Sequence, residues 1–162
     1  MIQRKVCLLG AHAVGKTSLA QRSVRGVFDE RYLTTVGVRV DRLTIDGRTL
    51  VLWDLHGEDR FKQVEPSYLR GAHGLVFAFD PTRPATLDAL VALEARLAPL
   101  IDALPRVVVA TKADLAPAWA VEREGFAARL GARLASAPIH VTSAKTGEGV
   151  EAAFSALAQG LA

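Results

Sequence analysis

The chain has 162 residues, of which 50% are hydrophobic and 23% charged, with a net charge of +3. These values are ordinary for one globular domain with a substantial core. The basic residues are scattered rather than clustered, so the charge does not predict nucleic-acid binding. The single cysteine, Cys7, excludes an internal disulfide and a cysteine-rich zinc site, and its apolar neighbours predict a buried thiol.

The sequence contains no apolar run that approaches the roughly 18 residues of a membrane span. The first five residues, Met1-Ile-Gln-Arg-Lys5, are not followed by the long apolar stretch of a signal peptide. We therefore expect a cytoplasmic location.

The first half of the chain predicts a strand, a helix and a hairpin. Residues 6–9 form a buried strand, and a glycine-containing loop separates it from a helix at 16–25. Residues 38–45 and 49–55 are apolar or alternating on either side of Asp46-Gly47, which is a strong hairpin signal. This hairpin is the one antiparallel element that we expect.

The second half alternates buried strands with amphipathic helices. A helix near 87–104 should kink or end around Ala98, because Pro99 cannot continue it. The other predicted elements are strands at 75–79, 106–110 and 139–141, and helices at 118–134 and 150–161.

The alternation of strands and helices predicts an α/β fold with a mostly parallel sheet. Six strands are expected, with one antiparallel strand at an edge and helices on both faces. The chain contains no repeat, linker or low-complexity tract, so we expect a single domain over residues 1–162.

The segment Gly10-Ala-His-Ala-Val-Gly-Lys-Thr17 matches G-x-x-x-x-G-K-[ST] between a predicted strand and a predicted helix. Its glycines allow successive backbone N–H groups to converge on a phosphate, and the helix N-terminus adds positive potential. Lys16 would supply charge to the β- and γ-phosphates, and Thr17 a hydroxyl ligand for Mg²⁺. The pattern predicts nucleoside triphosphate binding without choosing the base. The expected phosphate-binding residues here are His12, Ala13, Val14, Gly15, Lys16, Thr17 and Ser18.

Two further polar segments follow predicted strands: Thr111-Lys-Ala-Asp114 and Thr142-Ser-Ala-Lys145. A carboxylate at Asp114 can accept two hydrogen bonds from guanine, whose N1–H and exocyclic amine form a donor pair that adenine lacks. The stem of Lys112 could lie against the base. Taken alone, a lysine and an aspartate after a strand are common on protein surfaces. Both segments, however, lie at the carboxyl ends of strands, where open α/β sheets bind ligands.

In this order and spacing, G-x-x-x-x-G-K-T, W-D-x-x-G, T-K-x-D and T-S-A-K resemble the small GTPases of the Ras superfamily, closest to Rab and Rho. The resemblance covers essentially the whole chain. It implies the P-loop NTPase fold of a G domain, which binds GTP or GDP with Mg²⁺ and acts as a molecular switch. The Ala-, Arg- and Leu-rich composition favours a bacterial source.

The resemblance implies roles for individual residues. Phe28 would pack edge-on against guanine, and Ser143, Ala144 and Lys145 would contact the base or support Asp114. Thr111 would also belong to the base site, although many relatives have Asn there and the Rho branch has Thr.

The resemblance also implies two switch segments. Thr35 would ligate Mg²⁺ and touch the γ-phosphate, and Asp54 would hold Mg²⁺ through water. Gly57 would donate its backbone N–H to the γ-phosphate. Loss of that phosphate would release both segments, and effectors, activating proteins and exchange factors of unknown identity would recognise the difference.

Three positions differ from the usual pattern of the family. Glu58 stands where relatives have the Gln that orients the attacking water, and it would act either as a general base or as a poor replacement. His12 borders the γ-phosphate and the entry route of an arginine finger. His56 replaces the usual Ala and is more readily explained as an idle, solvent-facing histidine. Lys16, Thr35 and Glu58 are the candidate catalytic residues, and we expect slow intrinsic GTP hydrolysis.

The chain ends at Ala162 without a lipid-modified cysteine, and residue 2 is Ile, so we expect no lipid anchor. Two other functions stay open. One is a GTP-locked interaction module with negligible hydrolysis, which Glu58 and His12 favour. The other, much weaker, is a P-loop kinase or ATPase.

Overall fold

The computed structural model describes residues 2–26, 37–55 and 63–161. Six strands form its sheet: β1 (Gln3–Gly10), β2 (Val38–Ile45), β3 (Arg48–Leu55), β4 (Gly74–Phe79), β5 (Arg106–Ala110) and β6 (Ile139–Val141). Four α-helices surround it: α1 (Lys16–Arg25), α2 (Ala85–Ile101), α3 (Phe126–Ala135) and α4 (Val150–Gly160).

The strand order β2-β3-β1-β4-β5-β6 confirms the predicted sheet. All neighbouring strands are parallel except β2 and β3, which pair with each other in antiparallel orientation. The antiparallel pair turns at Asp46 and Gly47, whose φ angles of 50° and 71° give the left-handed two-residue turn typical of hairpins. The antiparallel strand β2 lies at one edge of the sheet. The other five strands are parallel to one another, so their carboxyl ends lie at a common edge.

The core has two layers because successive strand residues point to opposite faces of the sheet. Phe77 and Val108 face α2 and α3, whereas Val76 and Val107 face α1 and α4. Cys7 is fully buried in the first layer, as predicted, and burial raises the pKa of its thiol to about 11. Helices on both faces therefore enclose the sheet.

Helix α2 continues through Pro99, contrary to the expected break near Ala98. Proline removes one backbone donor, which would bond the carbonyl of Ala95. Ala95 is exposed, so water can satisfy that carbonyl. Leu97 and Ile101 are buried on either side of the proline and hold the last turn against the core.

The prediction of a helix at 118–134 is wrong for residues 118–125, which is nearly half of that range. The chain forms short 3₁₀ turns at Ala113–Ala118 and Arg123–Gly125, and α3 begins only at Phe126. Between the turns, Trp119 is extended and donates its indole N–H to the Lys112 carbonyl at 3.0 Å. Its ring packs 5.5 Å from that of Phe126. These tertiary contacts overcome the local helix preference.

A comparison of Gly149→Ala with Gly47→Ala tests how tightly α4 is joined to β6. Both glycines have positive φ, which costs alanine about 1–2 kcal/mol. A Cβ at Gly149 would also overlap the Val141 carbonyl oxygen, whereas a Cβ at Gly47 meets nothing within 4 Å. We expect losses of unfolding free energy of about 3 kcal/mol for Gly149→Ala and about 1 kcal/mol for Gly47→Ala in urea titrations. Equal losses would contradict the close approach of the two backbones.

Candidate functional site

The predicted site residues within the described chain gather at the carboxyl edge of the sheet. Loops 11–15, 80–84, 111–114 and 142–145 follow β1, β4, β5 and β6, which are neighbours in the sheet. Parallel strands place these loops side by side, which is where open α/β sheets bind ligands.

The loop after β1 curves into the N-terminus of α1. Gly15 caps this helix with φ 103°, and Ala13 adopts φ 61°, a left-handed conformation that is uncommon outside glycine. His12 and Ser18 are partly buried on either side of this bend, and the Val14 side chain is fully buried. The exposed polar groups of a bent backbone and a helix N-terminus suit an anion.

Lys16 is 5% exposed, and its ammonium donates to the Ala11 carbonyl at 3.2 Å. Burial lowers the pKa of Lys16 to about 8, an effect that the nearby Asp54 carboxylate opposes and the Arg83 guanidinium reinforces. Most of the population is therefore still cationic at pH 7. A buried cation at the start of a helix is suited to a phosphate charge.

The Thr17 hydroxyl donates to Asp54 Oδ2 at 2.5 Å. Asp54 is 1% exposed, and its Oδ1 has no hydrogen-bond partner among residues 2–26, 37–55 and 63–161. Burial raises the pKa of Asp54, although the Thr17 hydrogen bond and the Lys16 charge act in the opposite direction. An unpartnered buried carboxylate oxygen beside a hydroxyl is a chemically suitable start for a Mg²⁺ site.

This pair would need further oxygen ligands. The described part of the chain contains no group of three or more His, Cys, Asp or Glu side chains that could hold a metal. Mg²⁺ usually keeps several waters and takes phosphate oxygens as ligands. The residues present therefore fit a metal that is bound together with a nucleotide.

Asp114 lies at the same edge of the sheet and is oriented by Ser143. The fully buried Ser143 hydroxyl donates to Asp114 Oδ1 at 2.7 Å and accepts from the Thr146 backbone N–H at 3.1 Å. Next to Ser143, Ala144 is partly buried and Lys145 exposed. The loop after β6 therefore positions the carboxylate that the sequence predicts for base recognition.

Thr111 joins the two halves of the site. It is 5% exposed, and its hydroxyl lies 2.7 Å from the Val14 carbonyl oxygen and 3.0 Å from that of Phe79. The contact with Val14 brings the loop after β5 against the loop after β1. The predicted phosphate and base segments thus lie side by side.

Asp80 and Arg83 were not predicted from the sequence, although both lie in the loop after β4, between these segments. Asp80 is fully buried, and its Oδ2 is 2.6 Å from Lys112 Nζ and 3.2 Å from Arg83 Nε. Burial alone would raise the pKa of Asp80, but the hydrogen bonds from Lys112 and Thr82 outweigh it and hold the pKa below the ordinary value. The position of Asp80 directly after a fully apolar strand could have marked it as a candidate site residue.

Arg22 on α1 was also missed. Its guanidinium lies 3.2 Å from the Thr146 carbonyl oxygen and 3.5 Å from that of Lys145, so it braces the loop after β6. An arginine on a helix is ordinary in a sequence, and no local pattern indicates this contact.

Several predicted residues lie outside the described residues and are not placed by the structure: Phe28, Thr35, His56, Gly57 and Glu58.

Residues 5–162 match the model of the Ras family, which is nearly the whole chain. The chain belongs to the Ras family.

This Ras-family chain resembles several Ras-related proteins. It is 36% identical to Rab-18 of Caenorhabditis briggsae over 94% of the chain and 77% of that relative. It is 38% identical to Rab-36 of Homo sapiens over 95% of the chain and 60% of that longer protein. It is 35% identical to RabG2 of Dictyostelium discoideum over 95% of the chain and 80% of the relative.

The membership makes the chain a GTP-binding molecular switch of the P-loop type. Members of the Ras family are GTPases, bind GTP or GDP with Mg²⁺, and engage regulators and effectors. Among the helices within the described ranges, none is both long and apolar enough to cross a membrane.

Replacement of Asp80 by Asn tests the buried ion pairs of the site. Because the folded-state pKa lies below the ordinary value of 3.8, the carboxylate stabilises the fold above that pH. This contribution disappears as the pH falls through the folded-state pKa. We expect Asp80→Asn to lose about 2 kcal/mol of unfolding free energy at pH 7, and the difference from wild type to shrink below pH 4.

Urea titrations from pH 3 to pH 7 would measure this difference, with Asp88→Asn as the control because the Asp88 side chain is 70% exposed. A loss for Asp80→Asn that is the same at every pH would show that packing, and not the charge, is responsible.

Proposed function

We propose that this chain binds GTP and GDP at the carboxyl edge of the sheet and hydrolyses GTP slowly in the absence of a partner. The observation that carries the proposal is the Thr111–Val14 contact at 2.7 Å. It joins a loop suited to phosphates with the loop that carries Asp114, so that a single nucleotide can span both.

Asp114 is the proposed guanine-reading residue. Its carboxylate would accept from N1–H and the exocyclic amine of the base, and the Ser143 hydrogen bond limits the orientations that it can adopt. A site built on such complementarity rejects a base without the donor pair by roughly 10⁴-fold. The other residues proposed to surround the base are Phe28, Thr111, Lys112, Ala144 and Lys145.

The phosphates would lie against the loop after β1, where His12, Ala13, Val14, Gly15 and Ser18 supply backbone groups and Lys16 supplies charge. Thr17, Asp54 through water, and Thr35 are the residues proposed to hold Mg²⁺. The assignment is supported by Asp54 Oδ1, which is buried and has no hydrogen-bond partner in the described part of the chain. When bound, Mg²⁺ neutralises charge on the phosphate oxygens. Gly57 would donate its N–H to the γ-phosphate.

The proposed hydrolysis depends on positioning and electrostatics, with Lys16, Thr35 and Glu58 as the candidate catalytic residues. Lys16 would stabilise charge that develops on the phosphates, which a buried ammonium does more effectively than an exposed one. An ionised Glu58 accepts but does not donate hydrogen bonds, so it would act as a general base or hold the attacking water poorly. Glu58 and His12 together motivate the low intrinsic rate.

The proposed switch is a single G domain over residues 1–162 that works in the cytoplasm, where GTP is present. Effectors, activating proteins and exchange factors would be its partners, and we propose no nucleic-acid partner. The second candidate is a GTP-locked interaction module, which the same two residues, Glu58 and His12, favour.

Asp114→Asn tests base recognition. Xanthine carries a carbonyl where guanine carries its amine, so an asparagine amide can donate where the carboxylate accepted. We expect the affinity for GDP to fall at least about 100-fold and the affinity for xanthosine diphosphate to rise, as measured by competition against a fluorescent nucleotide.

The matched control is Asp102→Asn, because Asp102 lies at the opposite end of β5 and its side chain is 63% exposed. Unchanged base preference in Asp114→Asn, or wild-type protein that holds ATP as tightly as GTP, would count against guanine binding.

Glu58→Gln tests the catalytic assignment. We expect slow single-turnover GTP hydrolysis by the wild type and an acceleration of about tenfold in the variant, since the amide can both donate to and accept from the attacking water. Glu65→Gln is the control, because Glu65 is exposed and has no proposed role. Fast wild-type turnover that the Glu58 substitution slows would instead make Glu58 the general base.

The nucleotide extracted from purified protein separates the two candidate functions. GDP indicates a hydrolase, whereas GTP without GDP indicates the locked module.

A further inference from the structure

Arg83 lies in the loop that connects β4 to α2. Because β4 stands between β1 and β5, this loop lies between the phosphate loop and the base-reading loop. The Arg83 guanidinium donates to the His12 carbonyl oxygen at 2.9 Å through Nη2 and pairs with Asp80 at 3.2 Å through Nε. One side chain therefore contacts both the phosphate loop and a buried carboxylate.

The contact with His12 acts on a specific peptide group. In a trans peptide the C=O and the following N–H point in opposite directions. Arg83 holds the carbonyl of the peptide between His12 and Ala13, so the Ala13 N–H is directed away from the guanidinium. A positive charge on a carbonyl polarises its peptide group and strengthens the N–H as a donor. Ala13 is among the residues that we propose to bind the phosphates.

The same peptide is followed by a strained residue. Ala13 has φ 61°, a conformation that costs a non-glycine residue about 1–2 kcal/mol. Strain of this kind persists where surrounding contacts hold it. The hydrogen bond from Arg83 to the preceding carbonyl is such a contact.

Lys112, which contacts Asp80 from the other side, is a second residue with a strained backbone conformation. Asp80 Oδ2 accepts from Lys112 Nζ at 2.6 Å as well as from Arg83, and Lys112 has φ 61°. Asp80 Oδ1 accepts from the backbone N–H and the hydroxyl of Thr82 at 2.9 Å and 2.7 Å. These bonds immobilise the carboxylate, so Arg83 is anchored to a rigid group and not to a mobile surface residue.

The backbone of Arg83 has a separate role at the start of α2. Its carbonyl accepts from the backbone N–H and the hydroxyl of Thr86 at 2.9 Å and 2.8 Å. A change of side chain leaves these bonds in place. A substitution at position 83 therefore isolates the contacts with His12 and Asp80.

We propose that Arg83 is a positioning residue for the nucleotide phosphates, which it serves by holding and polarising the peptide between His12 and Ala13 from the side opposite the nucleotide. This inference rests on the proposed function. It assigns Arg83 no contact with the nucleotide. It predicts an effect on the phosphates themselves, which a residue that only supports the fold would not produce.

The test compares Arg83→Gln and Arg83→Lys with wild type, all loaded with GDP and Mg²⁺. Two quantities are measured: the rate of GDP dissociation, and the ³¹P NMR resonance of the β-phosphate of bound GDP. We expect Arg83→Gln to release GDP about tenfold faster, which corresponds to about 1.4 kcal/mol, and to move the β-phosphate resonance. Arg83→Lys should lie between wild type and Arg83→Gln in both quantities, because an ammonium keeps the charge but cannot contact His12 and Asp80 through two separate nitrogens.

The control is Arg129→Gln, an exposed arginine on α3 that pairs with Asp88 at 3.4 Å and should change neither quantity. Faster release with an unmoved β-phosphate resonance would reduce Arg83 to a structural role and overturn the inference, as would a variant equal to wild type in both measurements. If Arg83→Gln does not fold, the test rests on Arg83→Lys. The inference is then overturned if this variant has both the β-phosphate resonance and the GDP release rate of wild type. Wild-type protein that fails to bind GDP would contradict the proposed function instead.

Discussion

The hydrogen bond from Thr111 to the Val14 carbonyl is the contact on which the site depends. A nucleotide has a base at one end and phosphates at the other, and the residues suited to each are almost 100 positions apart in the chain, a separation of 97 between Val14 and Thr111. The parallel arrangement of β1, β4 and β5 brings the two loops to one edge, and the threonine hydroxyl fixes them against each other. Asp114 is then held by Ser143 from the next loop.

Two buried aspartates at this edge have pKa values that are shifted in opposite directions. Within the residues that the structure describes, one oxygen of Asp54 has no hydrogen-bond partner, and burial raises the pKa of this carboxyl group, so a cation would stabilise the carboxylate. Asp80 is saturated by Lys112, Arg83 and Thr82, which hold its pKa low. Asp54 is the group that we propose to take part in metal binding, whereas Asp80 anchors neighbouring side chains. Their different surroundings, and not their residue type, separate these roles.

Family membership identifies the general function of the protein, whereas the local structure shows which side chains hold the loops of the site. The match to the Ras family over residues 5–162 identifies a GTP-binding switch. The local structure shows that Arg83 donates to the His12 carbonyl and Arg22 to the Thr146 carbonyl, so both arginines contact the backbone of loops. Both arginines brace loops that carry proposed binding residues. The positions of residues that bind a charged ligand therefore depend on neighbouring side chains that do not contact it themselves.

The sequence by itself determined the order of the strands and helices, the Asp46-Gly47 hairpin and the phosphate loop, because these follow from local periodicity, glycine placement and a contiguous motif. Tertiary structure decided what local rules could not. Trp119 packs against Phe126 and keeps the start of the expected helix extended, and α2 runs through Pro99 because the core holds its last turn. The ion pairs of Asp80 with Lys112 and Arg83 join residues up to 32 positions apart, and only the folding of neighbouring strands brings such charges together.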